Sequence, residues 1–301
     1  MSEREVRDVS AGVADAAAVA GAGVVGAAST GAAGADAAGV AGAEAASRAA
    51  VELRGVRFAY GEHAVLDGLS LALPTGCLTG IVGPNGCGKS TLLRVIDGVL
   101  TPAAGEVLVE GDALGSLSAR ERAERIALLP QIHRTPSMTV EALVSCGRYA
   151  HMGLFGGLTE QDRQIVAESM RVAGVEHLAH KAARALSGGE RQRAFIAMAL
   201  AQRARTVLLD EPTTYLDPRA ALDVMRLARG LVHEQGMTGA VVIHDLPLAL
   251  RFCDRIAVMD GGRIVAVGTP AEILDQGVLE QVFGVAIARM ELNGEVVYSC
   301  C

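Results

Sequence analysis

The residues best suited to chemistry begin with a glycine-rich stretch of nine consecutive positions. They are Gly83, Pro84, Asn85, Gly86, Cys87, Gly88, Lys89, Ser90 and Thr91. Their spacing satisfies GxxxxGK[ST], a loop whose backbone N–H groups converge on phosphate oxygens. An apolar run precedes the loop and a helical pattern follows it, so the positive end of a helix adds to the attraction for anions. We expect Lys89 to contact the β and γ phosphates of a nucleotide and the Ser90 hydroxyl to ligate Mg²⁺.

Two adjacent carboxylates, Asp210 and Glu211, follow the apolar run Val207-Leu208-Leu209. A buried parallel strand would deliver them to its carboxyl end, the edge where ligands bind in open α/β sheets. Asp210 is suited to hold Mg²⁺, usually through water, and Glu211 to orient and deprotonate an attacking water. Alone, the pair is also typical of a capped strand end. Combined with the phosphate loop, it indicates hydrolysis of a nucleoside triphosphate.

Between these motifs lies Leu186-Ser187-Gly188-Gly189-Glu190, which opens a helical stretch. Ser187 and the amides of Gly188 and Gly189 are placed to bind a γ-phosphate at a helix N-terminus. A serine N-cap followed by glycines would produce the same pattern. The sequence of this stretch and its position between the other two motifs resemble the signature of ABC ATPases. The resemblance extends over residues 51–301.

The resemblance implies roles for residues outside the local motifs. Tyr60 lies where the family stacks an aromatic ring on adenine. Gln131 lies where a glutamine touches Mg²⁺ and the water and couples to the membrane subunit. His244 follows an apolar run and matches the switch histidine that contacts the γ-phosphate. The stretch Thr214-Tyr215-Leu216-Asp217 matches the loop that crosses the dimer interface, which adds Asp217 to the expected nucleotide site.

An assembly follows from the same resemblance. It implies ATP and Mg²⁺ as cofactors, with Ser90, Gln131 and Asp210 at the metal. It also implies a head-to-tail homodimer, in which Ser187 and Gly189 of one subunit close over ATP held by the other. The expected further partners are transmembrane permease subunits and a periplasmic or extracellular substrate-binding protein. The chain would then lie at the cytoplasmic face of the cell membrane as a peripheral subunit.

A finer resemblance is to the ATPases of iron-siderophore, haem and cobalamin importers. It rests on Gly147-Arg148-Tyr149-Ala150-His151 with Gly153-Leu154-Phe155-Gly156, on Pro212–Asp217, on His244-Asp245-Leu246 and on Gln281–Gly284. Ala150 and Pro247 depart from the group's usual Pro and Asn. The resemblance implies an ATPase that powers uptake of a ferric siderophore. The alternatives are the ATPase of a haem or cobalamin importer, an exporter ATPase, and a soluble ABC switch protein.

The elements that must position these residues can be read from the apolar pattern. Short alternating runs over 51–73 predict an antiparallel sheet with a bulge or turn at Gly55. From residue 78 onward, strand, loop and helix alternate as in a parallel α/β core. We therefore predict an α/β fold, a P-loop NTPase core of the ABC type with an antiparallel β-subdomain. A mostly helical stretch, with a loop at 147–157, predicts an inserted helical subdomain at about 136–186. Two short helices lead to a single tail strand.

Composition excludes several other classes of protein. Half of the 301 residues are hydrophobic, and the net charge of -7 comes without a basic stripe, which argues against a nucleic-acid partner. The six cysteines form no CxxC pair and have no histidine cluster beside them, which argues against a metal site or a disulfide framework.

The first 48 residues differ in composition from the rest. Ala16–Ala35 is uncharged over a length that could span a bilayer, but it is nearly all Ala and Gly, with three Val and no Leu, Ile or Phe. Glycine is a poor helix former, and alanine contributes little transfer free energy. We predict a disordered extension over 1–48, with a membrane-associated segment as the alternative, followed by one ABC ATPase domain over 49–301.

Overall fold

A computed structural model describes residues 49–131, 135–152, 157–292 and 295–300. The predicted disordered extension, 1–48, lies outside these ranges, as does the stretch 153–156. The helices within the described ranges include none that is both long enough and apolar enough to cross a membrane.

Four strands form the antiparallel sheet that the alternating pattern predicts. In the order β2-β1-β4-β5 they are β2 (His63–Pro74), β1 (Ala49–Tyr60), β4 (Ala104–Val109) and β5 (Asp112–Ala113). The pairing of β1 with β2 shifts register between Leu53 and Val56. Gly55, between them, has a φ of 57°, so the predicted bulge is confirmed.

Six further strands form the sheet that carries the chemical motifs. In the order β10-β9-β3-β8-β7-β6 they are β10 (Arg263–Gly268), β9 (Arg255–Asp260), β3 (Leu78–Val82), β8 (Thr238–Val242), β7 (Thr206–Asp210) and β6 (Ile126–Leu129). All neighbouring pairs except β9 with β10 are parallel. Every residue of β3, β7 and β8 is buried, as expected for parallel strands covered on both faces. The predicted α/β core is therefore confirmed.

Nine α-helices lie within the described ranges, and most begin at a polar N-cap. They are α1 (Lys89–Ile96), α2 (Ala119–Arg125), α3 (Val140–Ser145), α4 (Glu160–Val172), α5 (Gly188–Ala201), α6 (Pro218–His233), α7 (Leu246–Phe252), α8 (Pro270–Asp275) and α9 (Val278–Phe283). Ser118, Thr159, Ser187 and Thr269 each form a capping box with the acidic residue three positions later.

The core consists of two apolar clusters. One unites side chains of β1, β2 and α1 with part of the six-stranded sheet. The other unites α3, α4, α5, α6 and α7 with the remaining part of that sheet. Helices α3 and α4 therefore pack with α5 in one apolar cluster, in the region where the sequence predicts a helical subdomain. The extent of that subdomain stays a prediction.

Two elements differ from the sequence-based expectations. The predicted loop begins as a 3₁₀-helix, Cys146–His151, because the buried Arg148 and its partners hold that turn in place. The single tail strand is instead a hairpin of β11 (Ile287–Leu292) and β12 (Glu295–Cys300), which forms a separate two-stranded sheet.

Candidate functional site

The phosphate-loop candidate connects β3 to α1. A Cβ at Gly83 would lie 2.2 Å from the carbonyl oxygen of Met259, so only glycine permits the close approach of the loop to β9. Gly88 has a φ of 102°, and a Cβ there would lie 3.0 Å from the carbonyl oxygen of Val65. No side chain caps α1 at Gly88. The first N–H groups of α1 are thus available to a phosphate.

Lys89 lies inside the loop rather than extending into solvent. Its side chain is buried, and Nζ donates hydrogen bonds to the carbonyl oxygens of Gly83 and Pro84, both at 2.8 Å. The Sγ atom of Cys87 lies 3.9 Å from Nζ, and burial raises the pKa of this thiol, so it stays protonated near neutral pH. Asn85 and Gly86 form the exposed crest of the loop, and Thr91 lies half-buried on α1.

Ser90 and Asp210, two of the three residues predicted to hold a metal, are in direct contact. The Ser90 hydroxyl donates to Oδ1 of Asp210 at 2.9 Å, although 120 residues separate them in the chain. Asp210 is buried, and this burial raises its pKa, an effect that the Ser90 hydrogen bond opposes. A hydroxyl and a carboxylate oxygen side by side are ligands that suit Mg²⁺.

The described residues contain no group of three or more His, Cys, Asp or Glu side chains placed to hold a metal ion. Mg²⁺ does not require such a cage, because it is usually bound by one or two carboxylates together with substrate phosphates and water. The donor pair of Ser90 and Asp210 therefore fits the predicted cofactor.

Glu211 is the residue on which the predicted catalytic groups converge. Its Oε2 accepts hydrogen bonds from Nε2 of Gln131 at 2.8 Å and from the Thr214 hydroxyl at 3.0 Å. Its Oε1 accepts from Nε2 of His244 at 2.5 Å. Strand order explains the convergence, because β7 lies between β6, which leads to Gln131, and β8, which leads to His244. Gln131, predicted to contact the metal, contacts Glu211 instead of Ser90 or Asp210, and its metal role stays a prediction.

The backbone also fixes Glu211. Its φ of 50° lies in the left-handed region, which is uncommon for residues other than glycine. Its N–H donates to the carbonyl oxygen of Val242 at 3.1 Å, and its own carbonyl accepts from the N–H of Thr214 at 3.2 Å. Such strain persists only where the surroundings determine the conformation, and it concentrates at functional sites.

Thr214 is the functional candidate that sequence reasoning missed. The sequence includes it in the Thr214–Asp217 motif without a role of its own. In the structure its hydroxyl holds the carboxylate of Glu211. The available signal is the spacing, since a hydroxyl residue three positions after a strand-end glutamate returns to it when the chain makes a turn.

The signature residues lie in a different place from the phosphate loop. Ser187 caps α5 and forms a capping box with Glu190. A Cβ at Gly189 would lie 2.9 Å from Cβ of Ala220, so the glycine permits close packing of α5 on α6. Asp217 is exposed and accepts from the N–H of Ala220 at 2.9 Å, which makes it the N-cap of α6.

Ser187, Gly189 and Asp217 border a small cleft of about 130 Å³. Gly188 lies beside them, where a Cβ would lie 3.1 Å from Cδ2 of Leu216. The cleft contains none of the phosphate-loop residues. The structure thus groups the predicted nucleotide-binding residues into two sets, one around Lys89 and Glu211 and the other around Ser187.

Tyr60 ends β1 as a partly exposed ring, 47% accessible, that packs edge-on against Phe58 with centroids 4.9 Å apart. An exposed aromatic face of this kind is available for stacking on a planar base. Its predicted contact with adenine stays a prediction.

A cavity of about 560 Å³ lies at the amino ends of β7 and β8, beside Thr206 and Thr238. None of the predicted site residues lines it. In open parallel sheets the ligand site lies outside the carboxyl ends of the strands, so the chemistry of the motifs belongs to the opposite edge.

Comparisons with known proteins identify the family of the chain. Residues 66–214 match the ABC transporter family. The chain is 42% identical over 239 residues to the ferric enterobactin transport ATP-binding protein FepC of Escherichia coli, covering 78% of this chain and 88% of that protein. It is 41% identical over 225 residues to the iron(3+)-hydroxamate import ATP-binding protein FhuC of Bacillus subtilis, covering 74% and 84%.

A solved structure extends the likeness to three dimensions. It is a dimeric, post-hydrolysis state of an ATP-binding cassette with bound ADP and Pi, and it is similar to this chain with a TM-score of 0.64 at 29% identity. The match covers 73% of this chain and 98% of that one. By its family match and its identity to these relatives, the chain belongs to the ABC transporter family, as one of its ATP-binding, ATP-hydrolysing proteins.

Proposed function

We propose that this chain is the motor subunit of an importer, coupling hydrolysis of ATP to the uptake of a ferric siderophore or a related metal chelate. One observation carries the catalytic part. The carboxylate of Glu211 is held between Gln131 and His244, at the sheet edge where Ser90 meets Asp210. A water-activating carboxylate beside a phosphate loop is the arrangement that hydrolysis requires.

Lys89 and the loop amides bind the triphosphate in this proposal. The ammonium of Lys89 lies buried inside the loop, where it donates to two backbone carbonyls and, at 3.9 Å, to the Sγ atom of Cys87. Exchange of those carbonyls for phosphate oxygens replaces neutral acceptors with charged ones, which strengthens each hydrogen bond.

Ser90 and Asp210 would hold Mg²⁺ when the nucleotide binds. When bound there, the cation would neutralise the charge that develops on the phosphate oxygens. Asp210 contributes a buried carboxylate, and Ser90 keeps that carboxylate pointed toward the loop through their 2.9 Å hydrogen bond.

Glu211 acts as the general base in this proposal. Its carboxylate accepts a proton from the attacking water, while Gln131 and Thr214 fix Oε2 and His244 fixes Oε1. Three fixed hydrogen bonds remove rotational freedom from the side chain, so the base is positioned before the substrate arrives.

A second copy of the chain completes the site. The cleft around Ser187 contains no phosphate-loop residue, so the signature of one chain is not part of that chain's own nucleotide site. A head-to-tail homodimer would place Ser187, Gly188 and Gly189 of each copy over the nucleotide of the other. The dimeric cassette to which this chain is similar supports the arrangement.

The transported molecule is inferred from the relatives. The two similar proteins are described as ATP-binding proteins for ferric enterobactin transport and for iron(3+)-hydroxamate import. We extend this substrate class to the present chain, with transmembrane permease subunits and a substrate-binding protein as partners. The chain then works at the cytoplasmic face of the membrane.

The test measures uptake of radiolabelled ferric siderophore by cells that carry the wild-type gene or its Lys89→Ala variant at equal expression. We expect uptake to be lost in the variant and kept in Lys181→Ala, which changes the only other lysine of the chain. Uptake that continues with Lys89→Ala would contradict the assignment of this substrate. Parallel assays with haem and cobalamin then identify the related class.

A further inference from the structure

The stretch Gly147–His151, which the sequence marks as typical of one importer group, packs on the C-terminal end of α5. A Cβ at Gly147 would lie 2.1 Å from the carbonyl oxygen of Met198 and 3.0 Å from Cβ of Ala201. A side chain at position 147 is therefore incompatible with this contact. The glycine lets the 3₁₀-turn lie directly on the helix backbone.

Arg148 and His151 bind the last carbonyl groups of α5. Nη1 of the buried Arg148 donates to the carbonyl oxygen of Ala201 at 2.8 Å. Nε2 of His151 donates to the carbonyl oxygen of Gln202 at 2.7 Å. Carbonyls at a helix C-terminus have no partner within the helix, and a cation there is favoured by the helix dipole.

Arg148 is itself fixed by the start of α4. Its Nε donates to Oδ1 of Asp162 at 2.8 Å, and Asp162 also accepts from the N–H and the hydroxyl of Thr159. The hydrogen bonds from Thr159, which have the largest effect, and the one from Arg148 lower the pKa of Asp162 to about 2. The carboxylate is thus charged at neutral pH, and α4, the 3₁₀-turn and α5 are joined at one point.

Gln202, directly after the last residue of α5, connects that end of the helix to the core sheet. Its Nε2 donates to the carbonyl oxygen of Ala123 at 2.8 Å and to that of Ile126 at 2.7 Å. Both amide hydrogens are therefore used on the junction between α2 and β6. β6 is the strand that leads to Gln131, and Gln131 contacts Glu211.

We propose that Gln202 is a positioning residue for the ATP-driven dimer: it fixes the angle of α5 to the core sheet and so places Ser187–Gly189 at the opposite end of that helix. The inference rests on the proposed function, which gives those residues the nucleotide of a second copy. Helix α5 has 14 residues and a length of about 21 Å at ~1.5 Å per residue. A tilt of ~5° about its C-terminal end moves its N-terminal end by about 2 Å, enough to misplace hydrogen-bond donors.

A positioning role and a purely structural role of Gln202 predict different results. The phosphate loop lies on β3 and α1, away from the Gln202 contacts, so loss of positioning leaves nucleotide binding by the single chain intact. It weakens only the step in which Ser187 meets a second copy. Loss of stability would instead reduce nucleotide binding and dimerisation together.

The experiment uses the full chain with Glu211→Gln, in which we expect bound ATP to persist, and compares it with the same chain carrying Gln202→Met. Methionine keeps the length and removes the donor. We expect ATP-dependent dimerisation, measured by light scattering during size exclusion, to weaken at least tenfold. The affinity of the monomer for a fluorescent ATP analogue and the Tm stay close to those of the parent.

Two further variants control the result. Arg205→Ala changes an exposed side chain three positions away that pairs with Glu110, and it should leave dimerisation unchanged. Gln202→Lys restores a donor for the two carbonyls and should recover dimerisation.

Each failure has a separate meaning. If Glu211→Gln alone does not dimerise with ATP, the proposed dimer is wrong. If it dimerises and Gln202→Met dimerises equally well, or loses nucleotide affinity and Tm in the same proportion, the positioning role is overturned.

Discussion

Oε1 of Glu211 and Nε2 of His244 lie 2.5 Å apart, at the carboxyl ends of the neighbouring strands β7 and β8. The imidazole must donate to the carboxylate, which fixes the proton on Nε2. Glu211 is only 14% exposed and His244 is 39% exposed, so the base is shielded while the histidine faces the open side of the site. The histidine therefore fixes the orientation of the carboxylate that would activate water.

We expect Glu211→Gln to retain ATP binding and to lose nearly all turnover, at least ~100-fold, because an amide cannot accept the proton of the water. The uncharged side chain keeps the volume of glutamate, so the bound triphosphate should persist and a dimer should accumulate. Phosphate release and size-exclusion light scattering with ATP measure the two effects. Turnover equal to that of the parent would show that Glu211 is not the general base.

Lys89→Ala should weaken nucleotide binding by at least about tenfold, equivalent to ~1.4 kcal/mol, through loss of a charge-assisted contact with phosphate. Titration with a fluorescent ATP analogue measures the change. Lys181→Ala is the matched control, since Lys181 is exposed and is the only other lysine. Equal affinity of the two variants would contradict the phosphate-loop assignment.

Thr214→Val removes one of the three hydrogen bonds to the carboxylate of Glu211. We expect kcat for ATP hydrolysis to fall by about 3–10-fold, or ~0.7–1.4 kcal/mol. This is less than the ~1.5–3 kcal/mol of a hydrogen bond to a charged group, because Gln131 and His244 still hold the side chain. The KM for ATP should not change, since both the hydroxyl and the N–H of Thr214 are bonded to Glu211.

Thr213→Val is the control for this prediction, as it makes the same substitution one position earlier. A fall in kcat for Thr213→Val equal to that for Thr214→Val would assign the effect to the turn itself. A change in KM with constant kcat would place Thr214 at the nucleotide instead of at Glu211.

The local motifs could be predicted because their function requires only neighbouring residues. The loop from Gly83 to Ser90 needs a buried strand before it and a helix after it, and both patterns lie within 20 residues of sequence. The bulge at Gly55 and the boundaries of α2 and β6 follow in the same way from glycine, capping serine and apolar runs.

The contacts of Glu211 could not be predicted with the same detail. Gln131 is 80 positions away and His244 is 33 positions away, and their meeting depends on the strand order β8-β7-β6. The parallel pattern predicts that all three lie at one edge of the sheet, but not which side chains touch. The Gly147–His151 turn was expected to be a loop for a related reason, because its order comes from α5, over 40 residues later.

Asp97, at the C-terminal end of α1, predicts a pH dependence of stability outside the site. Burial raises the pKa of this carboxyl to about 6, and Arg122 only partly opposes the effect. Because the folded pKa lies above the unfolded value, the folded chain binds this proton more tightly. The resulting cost to folding is absent below about pH 4, grows as the pH rises, and is complete above about pH 6.

Asp97→Asn removes the titration and should therefore stabilise the chain above pH 6. The shift in pKa corresponds to ~3 kcal/mol at most, and the partial exposure of the side chain reduces the expected gain to about 1–2 kcal/mol. Urea unfolding at pH 4 to 8 measures it as a difference between variant and parent that shrinks as the pH falls. Asp275→Asn, at an exposed position, should show a smaller and flatter difference. A gain for Asp97→Asn that is the same at pH 4 and pH 8 would mean that the neutral amide acts through packing, and that the buried charge of Asp97 does not limit stability.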